Sequence, residues 1–337
     1  MQDLWTLYHP EIPPFLRPYL DTPPLVRLRD VGMNCGCEYT SFPLFLRTRP
    51  CSRFDHSVGV ALIIWHFTGS PRQTVAGLLH DIATPVFAHV VDFLNGDHLR
   101  QESTEEKTED FIRRCPALLA LLERDGLTVA DVADYHRYPI ADNPSPRLSA
   151  DRLEYTLGNL WHYGFLNRAP LEDFYRDLTV GIGEDGEAEL AFRTLETAEA
   201  FTQASLQTSR VYVADEDRFA MQALADLLKA ALERHVLVRE DLYATEPEVI
   251  ERLRADPRSA GDWAAFRQLS RLKVSREKPE EPGWRSIPAK KRYIDPLVLE
   301  KGRVSRLSPE TQTMQADFLA LDFSVWLRAA DGSHQHE

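Results

Sequence analysis

Four potential metal ligands recur along the first half of the chain, and two of them are adjacent. In the stretch GLLHDIATP, His80 and Asp81 end an apolar segment, where burial is costly unless both side chains are paired or bind a metal. Neighbouring positions on a helix diverge by about 100°, so these two share an ion only near a helix end, with other elements completing the shell. His56 in RFDHSVGV and Asp151 in SADRLEY are the candidates for those positions.

Two imidazoles and two carboxylates form a mixed nitrogen and oxygen shell. Such a shell suits Mn²⁺, Fe²⁺, Co²⁺, Ni²⁺ or Zn²⁺, with Mg²⁺ as an alternative, and it leaves room for water and a substrate. Each residue alone is more often a helix cap or a satisfied core side chain, so it is the set that predicts one divalent metal ion. A separate zinc site at Cys35 and Cys37 is not expected, because no second cysteine pair follows at zinc-ribbon spacing.

Helices must position these ligands, because apolar residues recur at three- and four-residue steps from His56 onward. The predicted helices are HSVGVALIIWHF, PRQTVAGLLHDIA, VFAHVVDFL and STEEKTEDFIRRC, followed by 116–124, 128–135, 148–163, 193–208 and 215–235. In DLTVGIGEDGEAELAF (177–192), two β-prone runs flank Glu184-Asp185-Gly186 and predict a hairpin. The expected fold is mainly α, with a small hairpin insertion.

Composition along the chain predicts three parts. Residues 1–50 are rich in proline, which indicates an irregular wrap, and residues 51–270 form the helical domain. Residues 271–337 are expected to be a small mixed α/β appendage, in which KKRYIDPLVL predicts a basic strand entering a turn at Pro296. The tail DGSHQHE is expected to be disordered.

The overall composition limits the kinds of partner that the protein is expected to bind. With 52 acidic against 39 basic residues the formal net charge is -13, so strong nonspecific nucleic-acid binding is not expected. No apolar run approaches the roughly 18 residues that span a bilayer, and MQDLWTLYHPEIPPF lacks the layout of a signal peptide. We therefore expect a cytoplasmic protein without membrane partners, for which a homo-oligomer is an open alternative.

The order of the ligands and their neighbours resembles a known family. The stretches RFDHSVGV, LLHD, FAHVVD and DRLEY resemble the motifs of the HD-domain superfamily of metal-dependent phosphohydrolases, and within it the deoxynucleoside triphosphate triphosphohydrolase branch. The resemblance covers roughly residues 25–255. It implies a helical fold around one metal centre and a metal-activated water that attacks a nucleotide-type phosphate ester. The implied metal ligands are His56, His80, Asp81 and Asp151.

The resemblance also implies catalytic side chains beside the metal. Arg53 lies one turn before His56 and would face the phosphate, to which a planar guanidinium donates two parallel hydrogen bonds. His89 and Asp92 would flank the scissile phosphate, because a carboxylate favours a protonated imidazole that can donate to a leaving oxygen. The ordinary alternatives are a solvated arginine and a surface ion pair.

Substrate contacts are implied at Tyr155 and Asn159, on the predicted helix 148–163, and at Arg210 and Tyr212 in the stretch TSRVYVADED, with Arg53 as a further contact. For the tyrosines the alternative is core packing. The basic residues at 290–292 would bring positive charge to a polyanionic substrate or a neighbouring subunit, although a solvated strand is the commoner role for such a run.

Three positions depart from the motifs of the branch. Thr84 stands where a further histidine follows the HD pair, and Met33 replaces a glutamine that contacts the sugar. His98 is a candidate catalytic residue, but Leu99 follows it where the branch has glutamate. Three functions therefore stay open: a triphosphohydrolase acting on dNTPs, a phosphomonoesterase of the 5'-nucleotidase kind acting on small phosphate esters, and a regulatory module that binds metal and nucleotide with slow turnover.

Overall fold

Helices dominate the structure, which is a computed structural model describing residues 2–95 and 107–330. Sixteen α-helices lie in these ranges: α1 (Gln2–Tyr8), α2 (Pro23–Arg27), α3 (Arg53–Thr68), α4 (Pro71–Leu79), α5 (Val90–Asn95), α6 (Thr108–Arg113), α7 (Pro116–Arg124), α8 (Val129–Val132), α9 (Ala150–His162), α10 (Arg168–Asp177), α11 (Leu195–Tyr212), α12 (Asp215–Glu233), α13 (Glu246–Ala255), α14 (Pro257–Arg267), α15 (Val304–Leu307) and α16 (Pro309–Ala320). The prediction of a mainly α fold is confirmed.

Seven short strands complete the described part of the chain: β1 (Leu178–Ile182), β2 (Ala188–Phe192), β3 (Leu272–Ser275), β4 (Arg285–Ser286), β5 (Leu297–Val298), β6 (Gly302–Arg303) and β7 (Trp326–Ala329). They form a four-stranded sheet in the order β1-β2-β5-β6 and a three-stranded sheet in the order β3-β7-β4. Strands β1 and β2 pair antiparallel, so the predicted hairpin is present. Because β5 then pairs parallel to β2, the C-terminal part of the chain extends the hairpin.

Two local predictions differ from the structure. The helix expected from Val86 begins only at Val90, because Phe87 (φ 58°) and Ala88 (φ 44°) adopt left-handed backbone that interrupts the helix. The strand expected over KKRYIDPLVL is confined to Leu297–Val298. Residues 287–296 form no regular element, since their backbone groups bond elsewhere: the Asp295 amide donates to the Pro146 carbonyl at 2.9 Å.

Capping and close packing fix the helices that carry the predicted ligands. Ser52 and Asp55 form a capping box, so α3 starts at Arg53 and places His56 in its first turn. Helix α4 approaches α3 closely at Gly77, where a Cβ atom would lie 2.2 Å from Ile64 Cδ1. The ends of α3 and α4 are therefore held at a defined separation.

Two large apolar clusters form the core. The first is built around α3, α4, α9 and α11, and it also contains Leu4 near the start of the described chain and Val304 near its end. The second is built around α12, α13 and α14, with Phe42, Ile287 and Leu327. Within the described ranges, no helix combines the length and the apolar character needed to cross a bilayer.

Candidate metal centre

Three helix ends bring the predicted metal ligands together. His56 lies in the first turn of α3 and Asp151 in the first turn of α9, while His80 and Asp81 directly follow the last residue of α4. His56, His80 and Asp81 are buried, and Asp151 is partly exposed. Placing a His-Asp pair just beyond a helix end lets both side chains turn toward one point.

The ligand atoms converge at distances that fit one ion. Nε2 of His56 lies 3.0 Å from Oδ1 of Asp151 and 4.0 Å from Oδ2 of Asp81. Nε2 of His80 lies 3.9 Å from the same Asp151 oxygen and 3.6 Å from the same Asp81 oxygen. Ligand atoms that are each about 2.0–2.2 Å from a common ion lie roughly 3–4 Å apart. His56, His80 and Asp151 thus form a cluster that could hold a single divalent cation, and Asp81 lies beside it.

The second nitrogen of each imidazole supports this donor set. Nδ1 of His56 donates to Oε2 of Glu154 at 2.5 Å, and Nδ1 of His80 donates to the Gly77 carbonyl at 2.7 Å. An acceptor at Nδ1 places the proton there and leaves the Nε2 lone pair for a metal. Burial lowers the pKa of His56, but Glu154 and Asp151 outweigh burial and raise that pKa to about 10. Negative charge therefore surrounds the ring, as a cation site requires.

Glu154 is a site residue that the sequence analysis missed. Its side chain is 1% exposed, and it lies one turn after Asp151 on the same helix. The sequence contained one signal for it. Glu154 follows Asp151 by three residues in DRLEY, and residues three apart share a helix face. Its contact to His56 joins positions 98 residues apart, which helical periodicity does not reveal.

Asp81 has partners on both oxygens. Arg53 Nη1 donates to its Oδ2 at 2.9 Å, and the Thr84 hydroxyl donates to its Oδ1 at 2.7 Å. Burial alone raises the pKa of Asp81, but Arg53 and the two histidines hold it well below its ordinary value. The Thr84 hydroxyl therefore helps to orient the Asp81 carboxylate.

His89 and Asp92 form the predicted pair. Nδ1 of His89 donates to Oδ2 of Asp92 at 2.9 Å, and Asp92 is fully buried. Asp92 raises the pKa of His89, as expected of a neighbouring carboxylate, but it does not determine the net shift. Burial, aided by Arg53 and Arg292, outweighs Asp92 and lowers the pKa of His89. The neutral ring has Nε2 left for other partners.

A cavity of about 300 Å³ joins the centre to other predicted residues. Its walls include all four ligands, together with Arg53, His89, Met33, Tyr155, Asn159 and Tyr212. The Asn159 amide donates to the Tyr212 hydroxyl at 2.7 Å, and the rings of Tyr155 and Tyr212 meet edge to face at 6.3 Å. Arg210 is exposed and is not among the lining residues. His98 lies outside the described residues.

The cavity also has lining residues that the sequence analysis did not select. Asn34, Tyr163 and Asp217 line it, and the Tyr163 hydroxyl donates to Asn34 Oδ1 at 3.2 Å. Burial raises the pKa of Asp217 to about 8. These three residues come from distant parts of the chain and belong to no shared motif. The cavity thus combines charged and imidazole side chains with aromatic and hydrogen-bonding ones.

Comparisons with known proteins give partial matches. No protein-family model matches the chain. It is 30% identical over 209 residues to the uncharacterized protein YdhJ of Bacillus subtilis, covering 60% of this chain and 61% of that protein. It is 29% identical over 117 residues to a Cordyceps militaris protein named metal-dependent phosphohydrolase cns2, covering 34% of this chain and 33% of that protein. The chain thus spans less than two thirds of the length of either relative.

A solved structure shares the fold. The crystal structure of a hypothetical protein from Aquifex aeolicus matches with a TM-score of 0.64, covering 95% of this chain and 93% of that one. The two sequences are 18% identical. The likeness shows that nearly the whole described architecture recurs in another protein.

Proposed function

We propose that the protein is an HD-type metal-dependent phosphohydrolase that acts on a nucleotide-type phosphate ester. The observation that carries this proposal is the convergence of His56, His80, Asp81 and Asp151, with both imidazoles held through Nδ1. The name of the Cordyceps militaris relative supports the same class of reaction. The chemistry that a divalent ion supplies in such a site is Lewis acidity, which polarises a phosphoryl oxygen and makes water a nucleophile near neutral pH.

Arg53 and His89 have complementary tasks in this proposal. Arg53 is held beside the centre by Asp81 and lines the cavity, so its charge neutralises negative charge that develops on the phosphoryl group. His89 is fixed by Asp92 through Nδ1, which leaves Nε2 to take a proton from water and return it to the leaving oxygen. Both tasks depend on positioning, which is the main contribution of proteins to phosphoryl transfer.

Further lining residues of the cavity support a nucleotide-type substrate. Tyr155 and Tyr212 offer aromatic surfaces, and Asn34 and Asn159 offer amide groups that pair with a base or sugar. A phosphomonoesterase is the second candidate, and Thr84 favours it. The Thr84 hydroxyl is engaged by Asp81, so this position supplies no additional acid or base as in the triphosphohydrolase branch.

The test is a product assay on metal-stripped protein resupplied with Mn²⁺. A panel of dNTPs, NTPs, NMPs and simple phosphate esters is incubated with it, and products are separated by ion exchange. Release of triphosphate supports the triphosphohydrolase, and release of orthophosphate from monophosphates supports the phosphatase. Absence of turnover together with retained metal would instead support the regulatory binding module.

Removal of a ligand provides the matched control for this assay. His56→Ala and Asp151→Ala are expected to lose both bound metal and hydrolysis, because each removes one donor atom from the centre. Metal content and product release are measured on the same samples. A variant that keeps full activity without bound ion would refute the proposed role of the metal.

A further inference from the structure

Left-handed backbone is concentrated in two loops that reach the cavity. Among the described residues, five other than glycine have a positive φ, and three of these are Cys35 (φ 54°), Phe87 (φ 58°) and Ala88 (φ 44°). Cys35 lines the cavity, and so does His89, which directly follows Ala88. Such backbone is unfavourable for residues with a Cβ atom and persists only where the surroundings hold it, so each loop needs an anchor.

Glu246 anchors the loop that contains Phe87. It is the first residue of α13 and is 2% exposed. Its Oε1 accepts a hydrogen bond from the Phe87 amide at 3.2 Å, and the neighbouring Val86 amide donates to the Leu242 carbonyl at 2.8 Å. The Phe87 ring is fully buried and meets the Tyr39 ring edge to face at 6.1 Å. Both the backbone and the side chain of Phe87 are therefore held by the core.

The same carboxylate also holds the loop that contains Cys35. Its Oε1 accepts from the Gly32 amide at 2.9 Å, and its Oε2 accepts from the Tyr39 hydroxyl at 2.7 Å. Cys35 lies between these two positions in the chain, and its thiol interacts with the His89 amide. The two loops thus share one buried anchor, and they meet at His89.

The hydrogen bond between His89 and Asp92 orients the His89 ring but leaves the position of the pair open. Asp92 lies three residues further on, and its own amide donates to the His89 carbonyl at 3.1 Å. Because the two residues belong to one short segment, they move together. Their position relative to the candidate metal ligands therefore depends on contacts from outside that segment, such as the one at the Phe87 amide.

We infer that Glu246 is a positioning residue, which holds His89 beside the candidate metal centre through the Phe87 amide. This inference rests on the proposed function, in which His89 transfers a proton. Glu246 is not one of the described residues that line the cavity, so it acts through the loop and not on the substrate. The buried Phe87 amide requires an acceptor atom, which a neutral side chain can also supply.

The experiment compares Glu246→Ala with Glu246→Gln in the full chain loaded with Mn²⁺, on the best substrate of the panel. Glu246→Ala removes the acceptor and should lower kcat about 100-fold, the cost of moving a reacting group by about 1 Å, while KM changes far less. Glu246→Gln keeps an oxygen that accepts from the Phe87 amide and should retain most of the kcat. Equal kcat values in Glu246→Ala and the unmodified protein would overturn the inference.

Tyr39→Phe is the matched control, because it removes the hydrogen bond from the other oxygen of the same carboxylate. It should lower the melting temperature without lowering kcat. If Glu246→Ala does not fold, Glu246→Asp takes its place, since a shorter side chain keeps the charge but draws the oxygens away from the Phe87 amide. A normal kcat in Glu246→Asp would then overturn the inference.

A double-mutant cycle with His89→Ala separates positioning from general destabilisation. If Glu246 acts through His89, Glu246→Ala should cost no further kcat once His89 is replaced by alanine. A full additional loss in that background would show that Glu246 acts by another route and would overturn the inference.

A spectroscopic measurement does not depend on turnover. Co²⁺ suits the same donor set, and the pseudocontact shifts that it induces depend on where a nucleus lies relative to the ion. The shifts of the His89 ring should change in Glu246→Ala and stay the same in Tyr39→Phe. If this is observed but no substrate is hydrolysed, the proposed function fails and the positioning role stands. Unchanged shifts in Glu246→Ala would overturn the inference, and a chain that binds no Co²⁺ would overturn both proposals.

Discussion

Among single residues, Glu154 orients a side chain that we propose as a metal ligand. It contacts Nδ1 of His56 at 2.5 Å, and its other oxygen accepts from the Tyr8 hydroxyl at 3.4 Å. The carboxylate thereby fixes both the tautomer and the orientation of the ring. Tyr8 lies at the end of α1, so the N-terminal part of the chain supports the centre through Glu154.

Replacing Glu154 by Gln keeps its size but removes the charge that draws the His56 proton to Nδ1. We expect about 10- to 100-fold weaker Mn²⁺ binding, the usual cost of losing such a partner, measured by calorimetric titration. The exposed Glu251 on α13 provides the control, and Glu251→Gln should leave the affinity unchanged. Equal affinity in the two variants would show that Glu154 does not orient the ligand.

A second pair of acids, away from the metal ligands, couples folding to pH. Glu38 and Glu246 both approach Gly32, whose amide donates to Glu246 at 2.9 Å. Burial raises the pKa of Glu38 from 4.5 to about 8, and the charge of Glu246 adds to this shift. Between these pH values the folded chain holds a proton that the unfolded chain releases, so the free energy of unfolding falls as pH rises.

The variant Glu38→Gln should remove this dependence, because an amide stays neutral at every pH. Near pH 5 its melting temperature should resemble that of the unmodified protein, and near about pH 9 it should be higher, since the loss of stability occurs above the unfolded pKa. Thermal melts by circular dichroism across this range provide the measurement. Parallel curves for the two proteins would contradict the assignment of the proton to Glu38.

At the scale of elements, the centre depends on how closely α3 and α9 approach. Gly59 lies one turn after His56 on α3, and a Cβ atom there would lie 2.7 Å from Glu154 Cγ on α9. The glycine gives Glu154 the room in which it reaches His56. Helix packing and ligand orientation are therefore determined by the same contact.

Gly59→Ala should displace Glu154, lower the melting temperature and weaken Mn²⁺ binding. Gly261→Ala on α14 is the matched control, because a Cβ atom at that exposed position meets no atom within 4 Å. That control should leave metal affinity unchanged and stabilise the fold by about 0.5–1 kcal/mol, the usual gain over a helical glycine. Unchanged metal affinity in Gly59→Ala would mean that Glu154 still contacts His56 despite the added Cβ atom.

Local sequence patterns predicted the long helices but not the contacts between distant segments. Amphipathic periodicity located α9, α11 and α12 within a few residues, because each buries one face. The late start of α5 depends on left-handed backbone at Phe87 and Ala88. Because neither residue is glycine, the sequence does not predict that conformation there. Lys290 and Arg292 line the cavity because Ile287 and Ile294, on either side of them, are buried, and only the assembled core reveals this burial.

In the whole molecule, one cavity draws on residues from Met33 to Arg292. The sequence predicted boundaries near residues 50 and 270, but the parts on either side of them contribute to the same apolar cluster. The first apolar cluster contains Leu4, Leu157 and Val304, one residue from each predicted part. Shared burial of this kind couples the unfolding of the three parts, because unfolding one of them exposes apolar surface of the others to water.

Differential scanning calorimetry on the full chain should therefore show a single cooperative transition, with equal calorimetric and van't Hoff enthalpies. Saturating Mn²⁺ should move the whole transition to higher temperature, because the ion binds the folded state. Two separate transitions, only one of which responds to Mn²⁺, would support independent domains instead.

The segment 287–294, which is buried at both ends and lines the cavity between them, has a consequence for the order of events during protein synthesis. Chains emerge from the ribosome N-terminus first, so all four predicted metal ligands are made before Lys290 and Arg292. Likewise, β2 is synthesised about a hundred residues before β5, the strand with which it pairs in parallel. The His56, His80 and Asp151 side chains can therefore come together early, whereas Lys290 and Arg292 reach the cavity only in the finished polypeptide.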